Sequence, residues 1–594
     1  MATYIRLTDY KDSDSKEQGF FKDENRYEAK QDDFEKIPGN PIAYWVSDRV
    51  KEIFNRPSLS DENQFSNGLN TGDNEKFLRY WTEVDKSQIK LNSINFEEAN
   101  LSKKKWFPYN KGGSFQKWYG NDEYIINWAN DGYEIKEYAI ERNNGSHWSR
   151  YLCGMNYQFK KSITWSFVSS SNFGIRFKNN GYLFDVGGSS MFVNNENKYK
   201  YYGAFLNTKI AFFMLKNINP TLNFQTGNIG KIPLIDIDDN RQETIDTLTQ
   251  ECIEISKEEW DSRETSWDFA QNEILRILND EFLILNEKPN LESVYNRYCE
   301  YWSEKFYKLH ANEEELNRLF IDIYELQDEL TPDVDLKDIT ILKSESIINE
   351  DKNIEFKADE IMKQFISYAV GVMFGRYSLD SDGLVVANLN QDYPKDTTFE
   401  IDDDNVIPVL EDDYFSDDIA SRVINFVKTT FGSQNLSENI NFIEKCLGKT
   451  IRAYMVKDFY EDHIKRYKKR PIYWMVSSTK KGFMSLSYMH RYTNDLFARV
   501  QNNYLREYIT KLEGTKDILK QIIVDESASS KDKKDADKKI KDIENKLKEL
   551  ISFDRDVLTS FAQNRVDIDL DDGVKVNYNK FKEVLYPIKG LDKE

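Results

Sequence analysis

Cysteine, histidine and proline are scarce in this chain, and each scarcity removes a class of protein. Cys153, Cys252, Cys299 and Cys446 are scattered through 594 residues and form no pair at metal-ligand or redox spacing, so neither a disulfide framework nor a cysteine zinc site organises the fold. His147, His310, His463 and His490 are as dispersed, which leaves a histidine-based zinc or iron site without support. Apolar runs are short: none approaches the roughly 18 residues of a membrane span, and the N-terminus lacks the apolar stretch of a signal peptide. A cytoplasmic protein with no membrane partner and no metal is expected. The signature loops GxxxxGK[ST], GxGxxG, HExxH and GxSxG and any CxxC pair are missing, and several enzyme classes go with them. The 12 prolines are never adjacent. That removes the Asn/Asp-Pro-Pro-aromatic loop of amino-methylating DNA enzymes, whose polar groups accept hydrogen bonds from the target amine while the aromatic ring stacks on the flipped base. Asn40-Pro41 and Asn219-Pro220 are followed by Ile42 and Thr221, so neither can serve.

Positive charge is scarce as well, but unevenly. The chain carries 81 Lys and Arg against 102 Asp and Glu, a net charge of -21, which on average disfavours nucleic acid. Between Leu101 and Ile235, however, 17 basic residues face 8 acidic ones, a local +9 that leaves -30 for the rest. Arg142 to Phe184 contains no acidic residue at all. Charge segregation of this kind is the footprint of a phosphate-contacting surface.

The length exceeds what one hydrophobic core serves, so several domains are expected. Residues 1–96 form an N-terminal segment, mainly helical: a short strand at TYIRL, a solvated helix, and an amphipathic helix over Ile37 to Phe54 with Ile42, Trp45, Val46, Val50, Ile53 and Phe54 on its apolar face. Residues 97–235 are β-rich, with short aromatic and β-branched runs (YIINW, SITWSFV, GIRFK, YLFDV) between Gly, Asn and Ser clusters. FDVGGSSMF, deep in this region with no crossover helix after it, reads as a turn. A helix over about Tyr201 to Asn217 closes the region. Residues 236–332 form a helical connector and 333–594 a helical C-terminal domain, which ends in two antiparallel helices joined at DESASS with Ile540, Ile543, Leu547 and Leu550 as their seam. The fold class is α+β: a β-rich domain followed by mostly α-helical ones. Gln391 to Asp418 holds 11 acidic residues and one lysine; it lacks the spacing and Gly of a calcium loop, and reads as a solvated face.

Two basic islands interleave with aromatics. In SKKKWFPYNKGGSFQKWYGNDEYIINW, Ser102 to Trp128, the ammonium groups of Lys103, Lys104, Lys105, Lys111 and Lys117 suit phosphates, and Gly112-Gly113 permits close backbone approach. Trp106, Phe107, Tyr109, Trp118 and Tyr119 suit either stacking on bases or a buried strand with a lysine edge. Lys160 and Lys161 extend the backbone-contact set. Ser169, Ser170, Ser171, Asn172, Arg176 and Lys178 are candidates for reading bases, because a Ser-rich loop bearing Arg and Asn offers donors suited to G and A. The second island contributes Lys465, Arg466, Lys468, Lys469 and Arg470, followed by IYWMVSS, which reads as a buried strand.

Five ordered segments, WFPYNKGGSFQKWYGNDEYIINWANDG, ITWSFVSSSNFGIRFKNNGYLFDVGG, NINPTLNFQTGNIGKIPL, SKEEWDSRETSWDF and RPIYWMVSSTKKGFMSLSYMHRY, resemble in order the C-terminal half of the PglX family, the adenine-specific DNA methyltransferases of BREX phage-defence systems, related to single-chain restriction-modification enzymes. The similarity covers nearly the whole chain. It implies that residues 97–235 are a target recognition domain reading a short duplex site, that residues 1–96 follow the methyltransferase domain, and that the helical regions are the family's C-terminal domain. It further implies that the S-adenosylmethionine loop and the NPPY-type catalytic loop belong to a domain preceding residue 1, so no catalytic or cofactor-binding residue carries over and the chemistry is supplied in trans. Expected partners are double-stranded DNA, a methyltransferase catalytic polypeptide, other BREX proteins and phage proteins that mimic DNA charge. A protein-interaction scaffold of the defence complex is the alternative.

Overall fold

Short runs of aromatic and β-branched residues form the strands, because such side chains fill a pleated surface well. The structure, a computed structural model, describes all residues except Asp9, Ser169–Ser171, Pro220, Leu222, Asn286, Glu287 and residues 592–594. Strands β1 (Ala2–Ile5) and β2 (Arg26–Ala29) pair antiparallel around the helix Ser13–Phe20. Next come β3 (Asn63–Ser66), β4 (Leu78–Tyr80), β5 (Trp106–Asn110), β6 (Tyr124–Asn127), β7 (Ser162–Trp165), β8 (Ile175–Lys178), β9 (Leu183–Phe184) and β10 (Ser190–Val193). They build two four-stranded sheets, ordered β3-β10-β7-β8 and β4-β6-β5-β9. Neighbours are antiparallel except β5 and β9, which run parallel. Each sheet therefore draws one strand from the residues before Glu97.

Every residue of β5, β7 and β8 is buried, since both faces of these strands are covered and the usual in-out alternation is lost. Helix Tyr199–Leu206 lies on β8, and Gly203 permits the approach: a Cβ there would stand 2.0 Å from the Phe177 ring. The long helices Asp239–Asp261 and Leu291–Tyr324 then pack against this unit, with Glu273–Leu285 between them in sequence. Glu313, buried on the long helix, accepts from Lys117 Nζ at 2.6 Å and from Trp118 Nε1 at 2.7 Å, a charge-assisted tie between connector and sheets.

The C-terminal region packs the helix Ala358–Met373 against a small sheet. A hairpin of β11 (Ser346–Ile348) and β12 (Ile354–Phe356) precedes that helix, and β13 (Ile407–Pro408), β14 (Tyr473–Ser477) and β15 (Met484–Tyr488) form the sheet in the order β13-β15-β14. The helices Arg506–Val524 and Ser530–Phe553 pack on each other over Leu512, Ile540, Leu547 and Leu550, joined through Asp525 to Ser529. An apolar core reaches from Ile37 to Leu591, and the sheet β4-β6-β5-β9 buries Phe107, Tyr109, Ile126 and Leu183 in a separate cluster. The fold is α+β, as expected. Among the described residues no helix is long and apolar enough to cross a membrane.

Three elements differ from the sequence reading. The helix expected over Ile37 to Phe54 is confined to Asp48–Ile53, because Pro38 and Pro41 interrupt the backbone and Ser47 caps the helix by accepting from the Val50 N–H. The helix over Tyr201 to Asn217 is two helices, Tyr199–Leu206 and Lys209–Ile218; at the break Asn207 accepts from the Ile175 N–H at 2.8 Å, tying the chain to β8. A helix, Ala129–Arg142, also lies inside the β-rich region, entered through left-handed Asn130, Asp131 and Gly132.

Candidate nucleic-acid interface

Tyr80 on β4 and Tyr124 on β6 are cross-strand partners, so their rings stack at 4.6 Å and their hydroxyls meet at 2.8 Å. This pair floors a cavity of about 530 Å³. Lys111, just beyond β5, holds its ammonium 5.8 Å from the Tyr124 ring centre. Arg79 of β4 donates through Nη1 to the carbonyls of Glu75 at 2.6 Å and Leu78 at 2.8 Å, while its Nε is buried without a partner.

The second basic island supplies another part of the wall. Helix Phe459–Arg466 ends in a turn whose consecutive residues Lys468 (φ 51°) and Lys469 (φ 62°) are both left-handed, an uncommon geometry for non-glycine residues that reverses the chain sharply. The reversal sends Arg470 into the cavity wall, 3.9 Å from Glu83 and 3.7 Å from Glu75. Lys468 pairs with Glu123 and stands over the Tyr80 ring. Lys111 and Arg470, 359 positions apart, thus line one cavity.

A third segment closes the wall. Asp571 accepts from Trp106 Nε1 at 2.7 Å and from Lys105 Nζ at 2.9 Å, and the Val574 N–H donates to Glu83 at 2.8 Å. These contacts dock the helix Gly573–Asn579 and bring Lys575 to Glu75 at 3.3 Å. The finished seam sets Arg79, Lys111, Arg470 and Lys575 against Glu75, Glu83 and Asp572. Burial pushes the Glu83 carboxyl up and pulls the Lys111 ammonium down, with the Asp185 carboxylate opposing the latter. Both groups are drawn part of the way out of bulk water.

The structure distributes the remaining candidates between surface and interior. Lys103, Lys160, Lys465 and Lys469 are exposed. Lys104 donates to the Ser87 carbonyl, and Lys161 pairs with Glu196 at 2.8 Å and covers the Tyr199 ring. Lys117, Arg176 and Lys178 are enclosed. Lys178 pairs with Asp122 and donates to the Gly120 carbonyl, its ammonium pulled down to about 8 by burial. Arg176 is 0 % exposed, faces the Ser166 hydroxyl at 3.5 Å, and leaves Nε and Nη2 without partners. Arg466 is held by Glu264 at 2.8 Å. Asn172 donates to Asp338 at 3.1 Å. Ser169, Ser170 and Ser171 lie outside the described residues; beside them Val168 is exposed, and Val186 on a neighbouring turn is exposed too. The aromatics of the first island divide as a core strand would: Trp106, Phe107, Tyr109 and Trp118 are buried.

Arg79 and Lys575 escape a reading of local charge because each sits among acids, Glu75 and Glu83 for one and Asp571 and Asp572 for the other. Only the cross-chain arrangement reveals them.

Fold and seam together define an α+β protein in which four cations from separate stretches of sequence, Arg79, Lys111, Arg470 and Lys575, line one cavity beside three carboxylates. The chain is 37% identical over 611 aligned residues to the adenine-specific methyltransferase PglX of Lacticaseibacillus casei (strain Zhang), a match covering 99% of this chain and 49% of the relative. It is 35% identical to the adenine-specific methyltransferase BrxX of Escherichia coli O9:H4 (strain HS), over 94% of this chain and 46% of that protein. The chain therefore spans about half the length of the curated relatives it matches. No family model matches it.

Proposed function

We propose that the chain is the DNA-binding specificity portion of a BREX-type adenine-N6 DNA methyltransferase used in phage defence. In this reading it recognises a short duplex site, and a catalytic domain supplied in trans transfers the methyl group. The observation that carries the reading is the meeting of two sequence-distant basic islands at one seam, in a chain similar over nearly all its length to proteins named adenine-specific methyltransferases. Arg79, Lys111, Arg470 and Lys575 would contact phosphates, with exposed Lys103, Lys160, Lys465 and Lys469 extending the track. Exposed Val168 and Val186 would face base edges, an apolar side chain being suited to a thymine methyl.

S-adenosylmethionine would act in the catalytic domain, and the one glycine-rich turn here that resembles a cofactor loop is closed by backbone. The Gly187-Gly188 pair brings two backbones together: a Cβ at either position would stand 2.6 Å from the Lys111 carbonyl oxygen or 2.3 Å from that of Asn110. These glycines join strands instead of cradling a ligand, and no methyl-transfer step is assigned to this chain. A gel-shift series with random-sequence and motif-containing duplexes tests the proposal; no shift at low salt, either alone or with the catalytic polypeptide, overturns it. Labelled-methyl transfer by the isolated chain would place the chemistry here after all.

The net -30 outside residues 101–235 favours a second role, docking other defence proteins. Replacing the exposed Lys103, Lys160 and Lys469 discriminates: loss of DNA binding with intact partner pull-down supports the specificity module, and loss of neither supports a scaffold. A polyanionic protein with DNA-like charge would compete for the same seam.

A further inference from the structure

The second helix of the C-terminal hairpin, Ser530–Phe553, buries Ala536, Ile540, Leu547 and Leu550 where it packs on Arg506–Val524. Half a turn round the same helix, Lys531, Lys534, Lys538, Lys541 and Lys548 recur at steps of three, four, three and seven residues, the repeat of a single helix face. All five are exposed. Lys541 pairs with Asp537 at 2.7 Å, whereas Lys531, Lys534, Lys538 and Lys548 have no ion-pair partner among the described residues. The acids Asp532, Asp535, Asp542 and Glu544 stand to either side of this face. The result is a stripe of one sign, about 25 Å long, in a chain of net charge -21.

The hairpin is anchored at its base. Lys546 pairs with Glu411 at 3.0 Å, Lys511 donates to the Tyr414 carbonyl at 2.6 Å, and Glu549 accepts from the Lys480 N–H. From Thr515 to Asn545, no hydrogen bond or ion pair reaches outside the hairpin among the described residues. The lysine face belongs to an arm that the rest of the fold leaves uncovered.

The chemistry of the face selects its partner. Between Lys531 and Lys548 its one other member is Asn545, so it offers none of the aromatic, Met or Arg anchors of a protein interface, from which Lys is depleted. A membrane surface would need an apolar stripe beside the charge, and here the apolar stripe is spent on the hairpin seam. A row of ammonium groups suits phosphates, and about 25 Å of helix matches the axial length of about seven base pairs. We infer that this lysine face is a second DNA contact, which holds the phosphate backbone of a duplex without reading its sequence. The inference rests on the DNA-binding function proposed above and adds a surface that shares no residue with the seam.

Fluorescence anisotropy of the full chain with long random-sequence and motif-containing duplexes, titrated across salt concentration, tests it. Lys531→Gln, Lys534→Gln, Lys538→Gln and Lys548→Gln together should make the log–log slope shallower by about 2 or more and weaken both duplexes by the same factor, about tenfold or more. Glutamine is a good helix former, so the circular dichroism spectrum should stay unchanged, and Lys→Arg at the same four positions should keep the wild-type slope. Equal slopes and affinities in wild type and the glutamine variant would overturn the inference and leave the seam intact. So would a defect confined to the motif-containing duplex, or lysine-dependent binding of poly-glutamate as tight as that of duplex, which would give the face to an acidic protein. A wild-type chain that binds neither duplex would remove the proposed function and this inference together.

Discussion

Lys178 sits 2 % exposed with its ammonium against the Asp122 carboxylate and the Gly120 carbonyl. Removing one member of such a pair strands a buried charge, so Asp122→Ala should destabilise the protein by about 3–5 kcal/mol. Lys160→Ala, at an exposed lysine of the same region, should stay within about 0.5 kcal/mol. Urea midpoints for the two variants check the contrast, and equal midpoints would contradict the burial of Lys178. Asp402 makes a pH-dependent counterpart. Burial, with the Asp404 and Asp417 carboxylates adding and Arg422 and Arg491 opposing, pushes its carboxyl from the ordinary 3.8 up to about 7. The folded state therefore binds the extra proton between these values. This group's contribution to stability is complete below about pH 4 and is lost as the pH rises through 7. Asp402→Asn keeps an acceptor for the Val406 N–H and should remove much of the stability loss between about pH 5 and 8; an unchanged pH slope in urea titrations would show that other groups set it.

The helical hairpin of Arg506–Val524 and Ser530–Phe553 owes its register to an apolar seam in an otherwise charged pair of helices. Leu550 is fully buried while its neighbour Ile551 is 45 % exposed. Leu550→Ala should cost about 2–5 kcal/mol and Ile551→Ala should remain within about 0.5 kcal/mol, a difference readable by thermal melting. This hairpin is legible in the sequence because its 3.6-residue stripe is local, and the strand Tyr473–Ser477 is legible because its apolar run is continuous. The two large sheets are less so. Their individual runs stand out, but β3 and β4 come from a region that reads as helical, and only pairing at long range, Leu78 opposite Ile126 for instance, makes them strands. Helix Ala129–Arg142 is hidden by its left-handed start, which no periodicity announces.

The whole molecule turns on where its cations end up. Charge segregation along the chain singles out two basic islands, and Lys111 from one and Lys468 and Arg470 from the other meet around one cavity and its tyrosine floor. Which lysines remain outside is not legible, because the carboxylates that hold Lys117 and Lys105 inward, Glu313 and Asp571, come from segments hundreds of residues away. The same distance conceals Arg79 and Lys575, whose sequence neighbours are acidic. The convergence is the central claim, and the salt dependence of duplex binding tests it most directly. Fluorescence anisotropy of a labelled duplex, titrated across salt concentration, should give for Lys111→Gln with Arg470→Gln a log–log slope shallower than wild type by about 1 per residue, with the circular dichroism spectrum unchanged. An identical slope and affinity in wild type and variant would contradict a DNA interface at the seam.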